Sequence, residues 1–135
     1  VGYGRVGRRI AKALGDRGIP FVVAEQNRER VEQLRARNIA AVFGDATEPM
    51  VLVQAHVAKA SMIIVAIPDT LGVRKIINSA RRVNPQIRAV VRLHNEAEAR
   101  LFEREDLATV FLGERELARA MVEHVLSVAD QGRKS

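Results

Sequence analysis

The chain has 135 residues and a formal net charge of +6, and 47% of its residues are hydrophobic. This length and apolar content suit one domain of ordinary size with a sizeable core. The absence of cysteine excludes disulfides, thiolate nucleophiles and cysteine-ligated metals. No apolar run approaches the roughly 20 residues that a membrane-spanning helix needs. The arginines are spread along the chain, which favours a generally basic solvated surface and predicts no nucleic-acid partner.

Six short apolar segments predict strands: Val1–Gly2, the last turn of a strand whose earlier residues lie outside this chain, then residues 20–25, 39–43, 62–67, 87–92 and 109–112. Amphipathic stretches predict helices at residues 5–17, after an Asn27 cap, at 48–55 after a Thr47 cap, and at 69–83, 96–105 and 114–129. The alternation predicts a Rossmann-like, doubly wound α/β fold with a mainly parallel six-stranded sheet and helices on both faces. No linker divides it, so residues 1–129 are one predicted domain and residues 130–135 a flexible tail.

A glycine-rich loop lies between the first predicted strand and the first predicted helix. Its residues are Gly2, Tyr3, Gly4, Arg5, Val6 and Gly7. In dinucleotide-binding folds the first glycine allows a tight turn, the second lets a pyrophosphate approach the backbone, and the third lets helix and strand pack closely. The helix N-terminus then offers free N–H groups to the phosphates. Such a glycine triplet can also serve packing alone.

An acidic residue at the end of the second strand strengthens the nucleotide interpretation. Glu25 lies 23 positions after Gly2, against the roughly 20 expected for the acid that binds the ribose. Its carboxylate can accept hydrogen bonds from both ribose hydroxyls and would repel a 2′-phosphate. NAD or AMP is therefore favoured over NADP, although Arg28 nearby points the other way.

Other candidates follow the later strands, where open α/β sheets bind ligands. Asp45 and Ala46 come after the third strand beside the expected adenine pocket, although Asp45 can equally form an Asx-type turn. Ile67 and Pro68 follow the fourth strand and are expected to wall the nucleotide, while the neighbouring aspartate either joins them or only caps a helix. Arg92 ends the fifth strand, where it can pair with a phosphate.

The sequence contains no recognisable catalytic or metal-binding set. Its three histidines, at positions 56, 94 and 124, show no metal-ligand spacing. Its one tyrosine, Tyr3, belongs to the loop, so no Tyr-Lys reductase pair can be drawn. No second lobe is present to hold a substrate against a nicotinamide. We therefore expect a binding module and not an enzyme.

Four segments together resemble a known family: the glycine loop, Gly44-Asp45-Ala46-Thr47, Val91-Arg92-Leu93-His94 and residues 113–118. They resemble the N-lobe of RCK (regulator-of-K⁺-conductance) domains, also called TrkA-N domains. Within that family the chain is most similar to the cytosolic regulatory domain of Kef-type monovalent cation/proton antiporters, YbaL branch. The likeness extends from Val1 to about Leu126.

The resemblance implies a homodimer that binds NAD(H) or AMP as a regulatory ligand and gates a transmembrane antiporter domain of the same polypeptide. Its implied place is the cytoplasmic face of the bacterial inner membrane. The implied nucleotide contacts are the glycine loop, Glu25, Asp45 and Arg92, with Arg5 covering the phosphates. Family dimers pair through the late strand and the final helix, which suits an apolar stripe of Leu117, Met121, Val125 and Val128.

Two other functions remain open at the level of sequence. The chain can be the cofactor domain of an NAD-dependent dehydrogenase whose catalytic domain lies elsewhere. It can also belong to an NAD(H)-sensing transcription regulator, which the net charge of +6 encourages. Against the regulator, no recognition-helix unit is visible beyond the predicted Rossmann elements.

Overall fold

The structure, a computed structural model, describes residues 1–134, with side-chain burial described to residue 132. Over these residues the strands are β1 Val23–Glu25, β2 Ala41–Phe43, β3 Met62–Val65, β4 Arg88–Leu93 and β5 Thr109–Leu112. The helices are α1 Arg5–Asp16, α2 Arg28–Ala36, α3 Pro49–Gln54, α4 Thr70–Val83, α5 Glu96–Arg104 and α6 Gly113–Lys134, with one 3₁₀ turn at Val57–Lys59. Every helix and strand predicted after Gly2 is present, although several begin or end at other residues than predicted.

The strands form two parallel sheets that the N-terminal residues join. β1 pairs with β2, and β3, β4 and β5 pair in that order. Between the sheets, the Val1 nitrogen donates to the Ile64 carbonyl at 2.7 Å, and Gly2 N–H donates to the Ala24 carbonyl at 3.0 Å. The strand order therefore reverses at Val1–Gly2, which is where doubly wound folds form a ligand crevice.

The predicted count of six strands is wrong, because the structure has five strands in two small sheets. Val1–Gly2 joins the two sheets through a few backbone hydrogen bonds but is too short to form a strand of its own. An apolar groove of about 620 Å³ lies beside it, bordered by Ile10 and Leu14 of α1 and by the edges of β1 and β3. The segment before β1 borders this groove, and Pro20 has no N–H to donate, so the strand begins later than predicted.

The main core lies on one face of β3, β4 and β5, beneath α3, α4 and α5. Successive strand residues point to opposite faces, and Val65, Val91 and Leu93 point into this core against Phe102, each at most 1% exposed. On the opposite face Phe111 remains 44% exposed, beside the start of α6. One face of the three-stranded sheet is therefore partly open.

The apolar residues of α4 predict a buried set of Leu71, Val73, Ile76, Ile77 and Ala80. This prediction is wrong for Leu71, which is 65% exposed, while the other four are buried. At 100° per residue Leu71 lies about 160° around the helix from Val73. It therefore faces away from the sheet.

Helix α6 leaves the body of the domain after its first turn. In that turn the Arg115 guanidinium donates to Glu96 at 2.6 and 3.1 Å and to Glu103 at 2.8 Å, which ties α6 to α5. From Leu117 onward every described side chain of α6 is exposed. The helix continues past its predicted end at residue 129 and takes in residues 130–134, which were predicted as part of the tail. Ser135 lies outside the described residues.

Candidate functional site

The glycine loop is packed so tightly that two of its glycines leave no room for a side chain. Gly2 has a φ of +89°, and a Cβ there would lie 2.8 Å from the Ala66 carbonyl oxygen. A Cβ on Gly7 would collide with the Gly2 carbonyl oxygen. Gly4, in contrast, has open space around it and is the N-cap of α1 without any side-chain cap. The first N–H groups of α1 are thus accessible to an anion.

Glu25 is held beside this loop by the backbone. Tyr3 N–H donates to Glu25 Oε1 at 3.0 Å, and Asn27 N–H donates to Glu25 Oε2 at 2.7 Å. Arg30 forms an ion pair with Oε1 at 3.5 Å. Glu25 is 7% exposed and is the one buried charged residue among those whose burial is described. The loop and the acid that ends β1 therefore form one unit.

These contacts determine the charge of Glu25. Burial by itself would raise the pKa of this carboxyl group, but the hydrogen bonds from Asn27 and Tyr3, together with Arg30, outweigh burial and lower the pKa below its ordinary value. Glu25 is thus ionised at neutral pH. Oε1 already accepts from Tyr3 and Arg30, whereas Oε2 accepts only from Asn27 and has room for a further hydrogen bond from a ligand.

The structure places Asp45 at the end of β2, in the Asx-type turn that was one of its two interpretations. Its Oδ1 accepts hydrogen bonds from Thr47 N–H at 2.9 Å and from the Thr47 hydroxyl at 2.8 Å. These bonds lower the pKa of Asp45, with a smaller contribution from Lys75. The predicted Thr47 cap is wrong, because Thr47 is used in this turn and Glu48 is the N-cap of α3. Ala46 is buried behind the turn.

Of the residues that follow β3, Ile67 borders the glycine loop and Asp69 has a structural role. Ile67 lies against Gly2, since its Cγ2 would be 3.0 Å from a Cβ added there. It thus borders the loop, with Pro68 next to it in the chain, and the contact of both residues with a nucleotide stays a prediction. Asp69 caps α4 by accepting from Leu71 N–H at 3.1 Å, which is the structural role that the sequence left open for it.

Arg92 lies one residue before the end of β4 and pairs in register with Phe111. Its side chain therefore leaves the sheet on the partly open face, opposite Leu93. Among the described residues, no hydrogen bond or ion pair joins Arg92 to the glycine loop or to Glu25. Its phosphate contact stays a prediction.

Sequence reasoning missed two charged residues beside the candidate site. Arg30 pairs with Glu25 from the first turn of α2, and Lys75 of α4 lies close enough to Asp45 to affect its pKa. The spacing of Arg30 from Glu25 was a usable signal, since α2 begins between them. Lys75 had no such signal because it is 30 positions from Asp45.

These features define a class of protein. A glycine loop at a helix N-terminus, an ionised acid at the end of the next strand and a reversal of strand order between them form the mononucleotide-binding half of a Rossmann-type fold. The sequence model of the TrkA-N domain family matches residues 1–112 of this chain. The chain belongs to the TrkA-N domain family.

Known relatives agree with this family in sequence and in fold. The putative cation/proton antiporter YbaL of Escherichia coli (strain K12) is 39% identical over 123 residues, which cover 91% of this chain and 22% of that protein. The crystal structure of its TrkA-N domain is 40% identical, with a TM-score of 0.85 and 90% of each chain covered. The chain thus spans about a fifth of its curated relative.

Two more distant structures share the fold. The Kef C-terminal domain of Shewanella denitrificans, in an AMP-bound form, has a TM-score of 0.80 at 20% identity and covers 95% of this chain and 77% of its own. The GsuK channel bound to NAD has a TM-score of 0.70 at 21% identity and covers 83% of this chain and 20% of its own. Within residues 1–134, no helix combines the length and apolar character needed to cross a membrane.

The contact between Gly7 and the Gly2 carbonyl yields a stability prediction. Gly7→Ala should lower the free energy of unfolding by about 1–3 kcal/mol, the usual cost of overpacking, because α1 must move away from the loop. Thermal or denaturant unfolding measures the change. Gly15→Ala is the matched control in the same helix, where a Cβ meets open space and should stabilise by about 0.5–1 kcal/mol. Equal effects of the two substitutions would contradict the close contact.

Proposed function

We propose that this chain is the cytosolic regulatory module of a potassium (cation)/proton antiporter, and that it binds NAD(H) or AMP and gates the attached transport domain. The family and the similarity to YbaL support the transport context. The main support for a nucleotide ligand is the position of the Glu25 carboxylate, which Tyr3 N–H and Asn27 N–H hold beside the glycine loop.

The geometry of the site favours a ligand with a phosphate and an unmodified ribose. A phosphate at the N-terminus of α1 would meet free N–H groups and the positive end of the helix dipole, with Arg5 in the first turn. The ribose hydroxyls would then donate to the ionised Glu25. A 2′-phosphate would meet the negative charge of Glu25, so NAD(H) and AMP should bind better than NADP(H).

The proposed module binds its nucleotide without converting it. The two carboxyl groups assigned to the proposed site, Glu25 and Asp45, both have lowered pKa values and are hydrogen-bond acceptors at neutral pH. A general acid or base works best with a pKa near the operating pH. Substrate-dependent oxidation of NADH by the purified domain would instead favour a dehydrogenase.

We expect Glu25→Ala to weaken the binding of AMP and NADH by roughly 1–3 kcal/mol, the scale of lost hydrogen bonds to a charged group. Isothermal titration calorimetry on the domain measures it. Arg30→Ala is the matched control, since it removes the ion pair but leaves the carboxylate and its backbone bonds. Circular dichroism must show that both variants are folded. Unchanged affinity in folded Glu25→Ala would remove Glu25 from the site.

Gating requires the whole polypeptide that contains this domain. In vesicles that contain it, AMP and NADH should change the rate of cation/proton exchange, and Glu25→Ala should shift that response to higher nucleotide concentration. Exchange that is indifferent to either nucleotide would argue against gating even if the domain binds them.

The proposed module includes a homodimer through α6. Leu117, Met121, Val125 and Val128 are each more than half exposed along this helix, and Val122 and Leu126 widen the apolar surface to about half of its circumference. An apolar face of this size on a helix that leaves the domain body calls for a partner. The partly open sheet face at Phe111 lies beside the start of α6 and extends that surface.

The dimer has its own test. In a two-fold contact each substitution counts twice, so Met121→Glu with Val125→Lys should convert the domain to a monomer in analytical ultracentrifugation at tens of micromolar. Glu123→Lys, on the polar side of α6, is the charge-changing control and should leave the dimer intact. A native domain that sediments as a monomer contradicts the dimer, and a double variant that stays dimeric places the interface elsewhere.

A further inference from the structure

A cation–aromatic pair lies next to the acid of the proposed nucleotide site. The guanidinium carbon of Arg28 is 4.7 Å from the centroid of the Phe43 ring. Phe43 ends β2 and is the register partner of Glu25, so both side chains leave the sheet on the same face. Arg28 begins α2 and lies over this end of the sheet.

The position of this pair is not explained by packing in the core. Arg28 is exposed, and Phe43 is 42% exposed at the edge of the site. The ion pair of Glu25 is made with Arg30. One face of the Arg28 guanidinium lies toward Phe43, the register neighbour of Glu25, and the exposed side chain leaves the other face to solvent.

We propose that the outer face of the Arg28 guanidinium, supported by Phe43, is the platform on which the base of the bound nucleotide stacks. This inference rests on the proposed function, in which the phosphates lie on the glycine loop and the ribose on Glu25. The base is attached next to the 2′-hydroxyl that Glu25 would bind. It is thus within reach of Arg28, three residues further along the chain.

The chemistry of the pair makes purines the preferred bases. A guanidinium is planar and weakly hydrated and stacks on flat π systems, and preferences among bases at such a stack come from stacking strength. A two-ring purine covers the guanidinium more fully than a one-ring pyrimidine. The contact with Phe43 restrains the Arg28 side chain, so that less side-chain freedom is lost on binding.

The test compares AMP with UMP, which share the phosphate and the ribose and differ only in the base. Calorimetry on the folded domain should show that Arg28→Ala weakens the binding of AMP by about fivefold to tenfold. The same substitution should weaken the binding of UMP by no more than about twofold. Arg28→Lys keeps the charge without the planar face and should also lose most of the preference for AMP. Arg37→Ala, at the other end of α2, is the matched control and should leave both affinities unchanged.

Other results would overturn the platform. If Arg28→Ala loses equal affinity for AMP and for UMP, and Arg28→Lys recovers both affinities, Arg28 only attracts the phosphate. If Arg28→Ala loses affinity for NADP and keeps its affinity for NAD, Arg28 binds a 2′-phosphate. If the native domain binds neither AMP nor NADH, the proposed function itself fails and the platform fails with it. Normal AMP binding in Arg28→Ala rejects the platform alone.

Discussion

The backbone of Val1 and Gly2 hydrogen-bonds to β1 on one side and to β3 on the other, and the geometry of the site depends on this junction. Because Gly2 donates to the Ala24 carbonyl, the glycine loop begins directly beside the end of β1. The loop can then turn into α1 only if Gly7 lies against the Gly2 carbonyl, where a Cβ has no room. The position of the α1 N-terminus is thus a consequence of how the two sheets are joined.

The same junction explains why one acid dominates the site. Tyr3 follows the junction at once, and its N–H donates to Glu25 at the end of the adjoining strand. A buried carboxylate normally tends toward the neutral form, yet here two backbone donors and Arg30 keep it charged. Glu25 is therefore a fixed negative charge beside the glycine loop, which attracts hydrogen-bond donors and repels anions.

Helix α6 is attached to the domain by different interactions from those that hold α3, α4 and α5. Helices α3, α4 and α5 bury their apolar faces against β3, β4 and β5, whereas α6 is tied to the domain by Arg115 and presents its apolar side chains to solvent. Ion pairs at the surface depend on salt and are weaker than core packing. The direction of α6 is thus less constrained by core packing than that of α3, α4 and α5.

The sequence by itself determined the order of helices and strands, the glycine loop and the acid at Glu25, because these depend on local periodicity and on short spacings. The stripe of α6 could also be read from its spacing. The turn of Asp45 and Thr47 was one of the two roles that the sequence left open for Asp45. Tertiary structure alone decided that Lys75 lies near Asp45, that Arg92 and Phe111 share one sheet face and that Val1–Gly2 lies between β1 and β3. Each of these depends on which distant segments pack together, and the pattern of a single chain does not specify that packing.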